Sequence, residues 1–260
     1  MRYLQGPRPR VFGHRGASGL APENTLVSFR RALEDGAEYL EMDVHGTADG
    51  AVVVLHDPLV DRTTDGHGLV GALTLAEVQR LDAGFAFSPD GVTHPWRSRG
   101  VTVPTLEEVL GAFPEARLNI ELKHDSDALI AHVARALDLH GARGRVLLTA
   151  EDGAFLDRIR EALPEVASGF SSRDVAEFLT CSSEPSYRPR GVALQVPVAF
   201  GELPLVTAES VARAHELGLE VHAWVINDPA EMRALFALGV DGVVTDFPAV
   251  AVAVRDRGAA

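Results

Sequence analysis

Short β-branched runs alternate along this chain with stretches that carry apolar residues at helical spacing, which predicts repeated strand–helix units and a parallel sheet. Eight strands are predicted, near residues 10–15, 39–47, 117–122, 146–149, 167–170, 192–196, 220–225 and 242–245. Each is followed by a predicted helix, near residues 24–35, 106–113, 127–139, 152–163, 173–178, 208–217, 229–238 and 250–255. Eight such units favour the α/β class and a (β/α)8 TIM barrel over a doubly wound sheet.

One connection interrupts this pattern. A hairpin and then a long Gly- and Asp-rich stretch, residues 58–104, separate the second strand from its helix. Because connections between a strand and its helix usually span about 2–6 residues, we expect this insertion to serve as a lid or substrate platform. Phe85, Phe87 and Trp96 are the candidates for a small apolar core within it. The chain of 260 residues is close to the roughly 250 of a typical barrel, so residues 1–260 are predicted to form a single domain.

The amino-acid composition limits the classes of molecule that the protein is expected to bind. The chain has 37 Asp and Glu against 24 Lys and Arg, a net charge of −13, which disfavours nucleic acid and anionic lipid surfaces. No apolar run is long enough for stable membrane insertion. The first twelve residues carry Arg and Pro where a signal peptide has its apolar stretch, and Cys181 is the only cysteine. A cytoplasmic location is therefore expected, and the oligomeric state is left open.

Three carboxylates are predicted to converge inside the barrel. Residues alternate between the two faces of a strand, so the apolar neighbours of Glu41 and Asp43 turn toward the helices and both acids turn inward. The third strand places Glu121 and Lys123 inward in the same way. Oxygen ligands without a thiolate suit Mg²⁺, Ca²⁺ or Mn²⁺. The alternative is a buried ion network with Arg15 and Lys123, which would gain little stability over an apolar core.

Two histidines are predicted to reach the same rim. His14 and Arg15 end the first strand, and His56 ends the hairpin after the second. An imidazole is the natural general acid or base near neutral pH, and a pair allows one to accept a proton while the other donates. The planar guanidinium of Arg15 is suited to phosphate.

A series of short motifs follows the predicted strands and loops. They are His14-Arg15-Gly16, Pro22-Glu23-Asn24-Thr25, Glu41-Met42-Asp43, Asp49-Gly50, His56-Asp57, Arg62-Thr63-Thr64, Pro104-Thr105-Leu106-Glu107-Glu108, Glu121-Leu122-Lys123, Trp224 with Asn227, and Thr245-Asp246-Phe247-Pro248. In order, spacing and strand placement they resemble the glycerophosphodiester phosphodiesterases, over nearly the whole chain.

The resemblance implies hydrolysis of glycerophosphodiesters to sn-glycerol 3-phosphate and an alcohol with one divalent metal ion, Ca²⁺ or Mg²⁺, with Mn²⁺ as a third candidate. It also implies a role for each of eight residues: His14 and His56 as the acid/base pair, Glu41, Asp43 and Glu121 as metal ligands, Arg15 and Lys123 as phosphate contacts, and Trp224 as a wall of the substrate cleft. The cyclic-phosphate route and direct attack by water remain open.

Other residues near the predicted rim carry two interpretations each. Gln195 is a candidate for substrate binding or a satisfied core amide, and Trp224 lines the cleft or fills the barrel. Asn24 is interpreted as the N-cap of the first helix, and Glu23 is close enough to reach the rim. Asp57 either orients the histidine before it or serves the turn at Pro58.

Three other functions compete with this one, and experiments distinguish them. Cleavage of lysophospholipids, a lysophospholipase D reaction, is the first alternative and needs an apolar groove in the insertion. A metal-dependent sugar-phosphate isomerase or aldolase would use the three acids but leaves the two histidines without a task. A module that binds a phosphodiester without cutting it would yield no free choline from glycerophosphocholine.

Overall fold

The computed structural model describes residues 2–258. Its strands, numbered in chain order, are β1 (Arg10–Gly13), β2 (Tyr39–Gly46), β3 (Val52–Val54), β4 (Arg117–Leu122), β5 (Val146–Thr149), β6 (Ala167–Ser168), β7 (Ala193–Pro197), β8 (Ala199–Phe200), β9 (Leu203–Pro204), β10 (Glu220–Trp224) and β11 (Gly242–Thr245). Eight of them form a nearly closed parallel barrel, and these eight are the predicted ones. The (β/α)8 prediction is confirmed.

The barrel strands are hydrogen-bonded in the order β6-β5-β4-β2-β1-β11-β10-β7. The two strands at the ends of this order, β6 and β7, meet at a seam that the Val192 amide bridges by donating to the Ser168 carbonyl at 2.9 Å. Outside the barrel ladder, β3 pairs antiparallel with β2, and β8 pairs antiparallel with β9. Strand β2, at eight residues the longest of these strands, lies in the middle of the order and therefore away from the seam.

Nine α-helices occur within residues 2–258: α1 (Leu26–Glu34), α2 (Leu75–Val78), α3 (Leu106–Ala112), α4 (Asp127–Leu139), α5 (Gly153–Ala162), α6 (Ser172–Cys181), α7 (Ala208–Glu216), α8 (Pro229–Leu238) and α9 (Pro248–Gly258). All eight predicted helices are present, and α2 is an additional short helix in the insertion. The N-cap of α1 is Thr25, whose side chain accepts from the Ser28 amide, so the assignment of this cap to Asn24 is wrong. Among the described residues no helix is both long and apolar enough to cross a bilayer.

The main apolar core lies between the strands and the helices. Leu40, Met42 and Val44, the outward face of β2, are fully buried there. A smaller apolar layer fills the lower end of the barrel interior, which is the end at which the parallel strands begin. There Phe12 and Tyr39 pack with Tyr3 from a short helical turn before β1. The barrel is therefore filled below and polar above, as its mouth must be to hold charged groups.

A charged group is also buried at the lower end. Arg10 is fully buried and donates to both carboxylate oxygens of Glu220, from Nε at 2.6 Å and from Nη2 at 2.7 Å. Its Nη1 donates to the Tyr39 hydroxyl, and His222 Nε2 lies 3.0 Å from Glu220 Oε2. Burial would raise the pKa of Glu220, but the bonds from Arg10 and His222 outweigh it and the pKa is lowered. We call Arg10, Glu220, His222 and Tyr39 the lower ion cluster.

The insertion, residues 58–104, packs on a satellite core of aliphatic side chains. It contains Val53, Leu55, Val60, Val70, Val78, Ala83, Val101 and Val103, with Trp96 at its edge. The prediction that Phe85, Phe87 and Trp96 form this core is confirmed only for the packing of Trp96 against it, because valines fill the core itself. Phe85 is exposed and lies under the guanidinium of Arg97, at 4.1 Å from the ring centre.

Candidate active site

Three carboxylates lie together at the mouth of the barrel. Asp43 on β2 is the direct register partner of Glu121 on β4, and Glu41 precedes Asp43 by two residues on the same face. Neighbouring strands run about 4.8 Å apart, so these positions are adjacent points of the sheet. Glu41 and Asp43 are buried, whereas Glu121 is partly exposed. We call Glu41, Asp43 and Glu121 the mouth acids; their predicted convergence agrees with this arrangement.

Two cations bind the mouth acids. Lys123 Nζ lies 3.0 Å from Glu121 Oε1 and 3.7 Å from Asp43 Oδ1. Arg15 Nε lies 3.3 Å from Asp43 Oδ2, and the Arg15 amide donates to Glu41 Oε2 at 2.9 Å. The contacts are those of the ion network considered above. Within residues 2–258, no group of three or more His, Cys, Asp or Glu side chains is arranged to hold a metal ion.

The electrostatics of the mouth acids differ from those of a satisfied ion network. Burial and the charge of Asp43 raise the pKa of Glu41 from 4.5 to about 8, and burial also raises that of Glu121. Asn24 is buried beside them and donates to Asp43 Oδ2 at 3.0 Å, while its own Oδ1 has no hydrogen-bond partner. Excess negative charge and an unpartnered carbonyl oxygen fit a hard divalent cation at this place.

His14 is paired with a carboxylate from the far end of the chain. Its Nδ1 donates to Asp246 Oδ1 at 2.6 Å, which leaves Nε2 free to exchange a proton. Ser18 donates to the same oxygen and Asn227 to the other, both at 2.6 Å. Burial alone would lower the pKa of His14, but the bond to Asp246 and the charge of Glu41 raise it. The sequence identified Asp246 only as part of a motif, and the contact of Asp246 with His14 was not predicted.

His56 is paired with its neighbour. Its Nδ1 donates to Asp57 Oδ1 at 2.6 Å, which is the orienting role considered for Asp57. Arg62, from the insertion, donates to Asp57 Oδ2 at 2.6 Å and grips both oxygens of Glu23 at 2.7 and 2.8 Å. Glu23 in turn accepts from Arg15 Nη1 at 2.9 Å, so it reaches the rim as expected. The Arg62 guanidinium thus connects Asp57, which binds His56, to Glu23, which binds Arg15.

The loop that carries His14 and Arg15 is pressed against α1. Arg15 has a φ of 51° and Gly16 one of 90°. A Cβ on Gly16 would lie 2.6 Å from the Ser28 backbone carbon, so only glycine allows this approach. The carbonyl of Arg15 accepts from the Ser28 hydroxyl and from the Asn24 amide. These bonds fix the direction in which both side chains leave the loop.

A further histidine lies beneath His56. His45, on the inward face of β2, is buried and donates from Nε2 to the His56 carbonyl at 3.0 Å. Its ring stacks on His124, with centres 5.5 Å apart and an interplanar angle of 9°. Sequence patterning assigned neither residue a role. Burial lowers the pKa of both rings, so they remain neutral packing partners at neutral pH.

Comparison with known proteins decides the family. Residues 14–250 match the model of the glycerophosphoryl diester phosphodiesterase family. The chain belongs to this family. The matched segment begins at His14 and includes both histidines, the mouth acids and Asp246, so every part of the site described above lies inside it.

Individual relatives agree. The phosphodiesterase is 34% identical to a putative glycerophosphodiester phosphodiesterase of Bacillus subtilis, over 92% of this chain and 94% of the relative. It is 30% identical to a glycerophosphodiester phosphodiesterase of Bacillus altitudinis, over 95% and 98%. The predicted family and enzyme class, a phosphoric diester hydrolase, are confirmed.

Solved structures show the same barrel. A crystal structure of a putative family member from Silicibacter pomeroyi matches with a TM-score of 0.78 and 30% identity, covering 96% of this chain and 94% of the other. A phosphodiesterase from Oleispira antarctica, in complex with the product sn-glycerol-3-phosphate, matches with a TM-score of 0.78 and 30% identity, over 96% and 97%. A small-molecule substrate therefore fits this family.

Two residues of the phosphodiesterase bear on the alternatives left open by its sequence. Trp224 ends β10 and is 43% exposed, so the alternative in which it fills the barrel is wrong. Gln195 Nε2 lies 3.1 Å from Asn119 Oδ1 and 3.3 Å from His222 Nδ1. These contacts correspond to the core-amide alternative, and its substrate role stays a prediction.

A cavity of about 400 Å³ opens beside the mouth acids of the phosphodiesterase. It extends from Glu121 and Lys123 across the loops that follow β4 and β5, with Phe155 in its wall. The space lies on the β4 and β5 side of the mouth, whereas His14 and Trp224 lie toward β1 and β10. A substrate centred on the mouth acids therefore has room on the β4 and β5 side of its phosphorus.

Proposed function

We propose that this phosphodiesterase hydrolyses small water-soluble glycerophosphodiesters to sn-glycerol 3-phosphate and an alcohol, with one divalent metal ion and with His14 and His56 as the acid/base pair. The observation that carries the proposal is the pair of imidazoles, each oriented by its own carboxylate, on either side of the mouth acids. The charge of His14 acts on Glu41 and that of His56 on Glu121, so the two rings flank one centre.

Glu41, Asp43 and Glu121 are the residues that would hold the ion, and Ca²⁺ or Mg²⁺, with Mn²⁺ as the third candidate, suits their oxygens. The raised pKa values of Glu41 and Glu121 and the unpartnered Asn24 Oδ1 support this assignment. When bound, such an ion neutralises negative charge on a phosphate oxygen. Arg15 and Lys123, which bind these acids, would then turn to the substrate phosphate.

The chain's own residues supply the remaining tasks. Arg15 presents a planar fork and Lys123 a point charge, and both offset the charge that grows on phosphorus oxygens during transfer. One imidazole removes a proton from the nucleophile, either a substrate hydroxyl or water, and the other protonates the leaving alkoxide. Asp246 and Asp57 hold each Nδ1–H, so that both Nε2 atoms remain available for these transfers.

Incubation with glycerophosphocholine tests the proposal directly. We expect free choline and sn-glycerol 3-phosphate in the presence of Mg²⁺, Ca²⁺ or Mn²⁺, loss of activity in EDTA, and recovery when one of the three ions is restored. Full activity in chelator would contradict the metal assignment. Binding without products would favour a binding module, and carbonyl chemistry on a sugar phosphate would favour an isomerase or aldolase.

The proposal treats residues 1–260 as one catalytic domain with residues 58–104 inserted, and places the enzyme in the cytoplasm. The single cysteine supports a reducing compartment. Arg62 supports the unity of the domain, because an insertion residue binds Glu23 and Asp57 of the barrel loops.

A further inference from the structure

An arginine of the insertion reaches the active-site mouth. Arg62 lies in a turn between Val60 and Thr64, both of which are buried. The Thr64 hydroxyl donates to the Val60 carbonyl at 2.7 Å, and the Val60 amide donates to the Gly68 carbonyl at 3.0 Å. Val60 belongs to the satellite core, which attaches the turn firmly to the insertion. The position of the Arg62 guanidinium therefore depends on the insertion, although its partners belong to the barrel loops.

The Arg62 guanidinium binds two carboxylates at once. Its Nη1 donates to Glu23 Oε2 at 2.7 Å and its Nη2 to Glu23 Oε1 at 2.8 Å. Its Nε donates to Asp57 Oδ2 at 2.6 Å and its Nη2 to Asp57 Oδ1 at 3.2 Å. The planar fork of an arginine suits such a bridge, which the compact ammonium of a lysine does not reproduce. The bonds from Arg62 lower the pKa of Asp57 to about 2.

Glu23 is shared by two arginines. Its Oε1 accepts from Arg15 Nη1 at 2.9 Å as well as from Arg62, while its Oε2 accepts from Arg62. Burial would raise the pKa of Glu23, but the bonds from Arg62 and the charge of Arg15 lower it. A carboxylate whose charge is balanced by a second guanidinium attracts the first one less strongly. Arg62 therefore weakens the attraction between Glu23 and Arg15.

The Arg15 side chain is held less completely than its backbone. The Arg15 amide donates to Glu41 Oε2, and the Arg15 carbonyl accepts from the Ser28 hydroxyl. In contrast, Arg15 Nε is buried without a hydrogen bond, at 3.3 Å from Asp43 Oδ2. A buried donor without a partner costs free energy, which a bond to a phosphate oxygen would recover. The guanidinium can thus exchange partners while the backbone stays in place.

We propose that Arg62 is a positioning residue that sets the affinity of the mouth for the substrate phosphate, because it holds Glu23 and so allows Arg15 to move from Glu23 to the phosphate. The proposal rests on the phosphodiesterase function above, in which Arg15 contacts the phosphate. It gives the insertion a task in this reaction, since Arg62 balances the carboxylate that competes with the substrate for Arg15. The effect belongs to substrate binding, so it should change KM more than kcat.

Arg62→Gln tests the proposal, since glutamine keeps a polar side chain and removes the charge. The KM for glycerophosphocholine is measured with the divalent ion that supports turnover, and the Kd of sn-glycerol 3-phosphate is measured by calorimetry with the same ion. We expect both constants to rise about tenfold, because Glu23 then holds Arg15 with its full charge and repels the phosphate. The kcat should stay within about threefold of the parent value.

Second substitutions identify the carboxylate through which Arg62 acts. Glu23→Gln in the Arg62→Gln background should return both constants to within about threefold of the parent, because the competing charge is gone. Asp57→Asn in the same background removes an equal charge from the other side of Arg62 and should leave both constants raised. This pair separates the release of Arg15 from a general change in the charge of the mouth.

Arg99→Gln is the matched control. Arg99 is an exposed arginine of the same insertion, and its replacement makes the same change in charge. It should leave KM and Kd unchanged, and thermal unfolding checks that every variant is folded. An equal rise of both constants in Arg99→Gln would overturn the proposal, because any arginine of the insertion would then have the same effect.

The remaining outcomes also decide the matter. Unchanged KM and Kd in Arg62→Gln overturn the role of Arg62 and leave the proposed function standing. So do raised constants that Asp57→Asn restores as well as Glu23→Gln does, or that neither restores. A fall in kcat with both constants unchanged overturns it too, since Arg62 would then act on His56 through Asp57. If the parent neither cleaves glycerophosphocholine nor binds sn-glycerol 3-phosphate with any of the three ions, the proposed function fails and the role of Arg62 with it.

Discussion

The barrel buries charge at both ends, with opposite consequences. In the lower ion cluster, the carboxylate of Glu220 receives two bonds from Arg10 and contacts His222, and its pKa is lowered. Among the mouth acids, the pKa of Glu41 is raised to about 8 by burial and by Asp43. The lower end has matched its charges, whereas the upper end holds more negative charge than its cations relieve.

This difference separates stability from chemistry. A matched buried ion pair is costly to break, since removal of one partner leaves the other charged without compensation. An unmatched buried acid costs the fold free energy and is retained where function needs it. We therefore expect substitutions in the lower ion cluster to change unfolding, and substitutions at the mouth to change turnover.

The largest expected effect is the loss of a histidine at the mouth. His14→Ala or His56→Ala should lower kcat roughly 10²–10⁴-fold with the melting temperature little changed, because the proton transfers lose their donor or acceptor. Steady-state kinetics on glycerophosphocholine measure it. His67→Ala, an exposed histidine of the insertion, is the control. Activity within a few-fold of the parent would remove both residues from the mechanism.

The reverse pattern is expected at the lower end. Glu220→Gln should destabilise the protein by about 3 kcal/mol, since Arg10 stays buried without a counter-charge, and should leave kcat unchanged. Because the folded-state pKa of Glu220 lies below its ordinary value, its stabilisation is present above about pH 4.5 and is lost as the pH falls further. Urea unfolding of parent and variant should therefore converge in acid. A kcat loss as large as that of a histidine variant would break the division between the two ends.

Glu41→Gln makes the same chemical change at the mouth, and its effect on the free energy of unfolding should have the opposite sign. In the metal-free protein it should stabilise by on the order of 1–3 kcal/mol at neutral pH, while activity is lost. The folded-state pKa of Glu41 is raised, so its ionisation costs stability progressively from about pH 4.5 up to about pH 8. Thermal unfolding in EDTA across this range measures the slope, which the variant should flatten. An unfolding curve lowered as much as that of Glu220→Gln would contradict the comparison.

A smaller difference is expected between the two carboxylates that orient the histidines. The charge of Asp246 is shared among His14, Ser18 and Asn227, whereas Asp57 is already bound by Arg62. Asp246→Asn should therefore lower kcat about tenfold more than Asp57→Asn, since the negative charge of Asp57 is already partly neutralised by Arg62 and contributes less to its imidazole. Parallel kcat measurements decide the order, and the reverse order would mean that Arg62 strengthens the His56 pair.

Much of this molecule follows from local pattern. The alternation of β-branched and helical stretches predicts every barrel strand and each of the eight outer helices, because strand and helix periods act over few residues. The inward acids of β2 and β4 follow from the two-residue repeat, which holds wherever the outer face must be apolar. His56 and Asp57 were adjacent in sequence, so their contact was foreseeable.

Other features depend on packing over long separations. His14 meets Asp246 only because β1 pairs with β11 across 232 positions of sequence, and no local signal couples them. Asn24 resembled a helix cap, yet Thr25 took that position and freed Asn24 to turn toward Asp43. The aromatic residues of the insertion were hydrophobic enough for a core, but the more numerous valines fill it. The β8–β9 hairpin was too short for a periodic signal.

The incomplete seam between β6 and β7 also affects where the barrel opens first. Strand pairing elsewhere is continuous, while this junction has the Val192 amide bonded to the Ser168 carbonyl. Local opening occurs where the fewest hydrogen bonds must break. Backbone amides at this junction should therefore exchange with deuterium before those of the other barrel strands. Since β1 and β2 lie in the middle of the strand order, the barrel can open locally between β6 and β7 without loosening the groups that carry its chemistry.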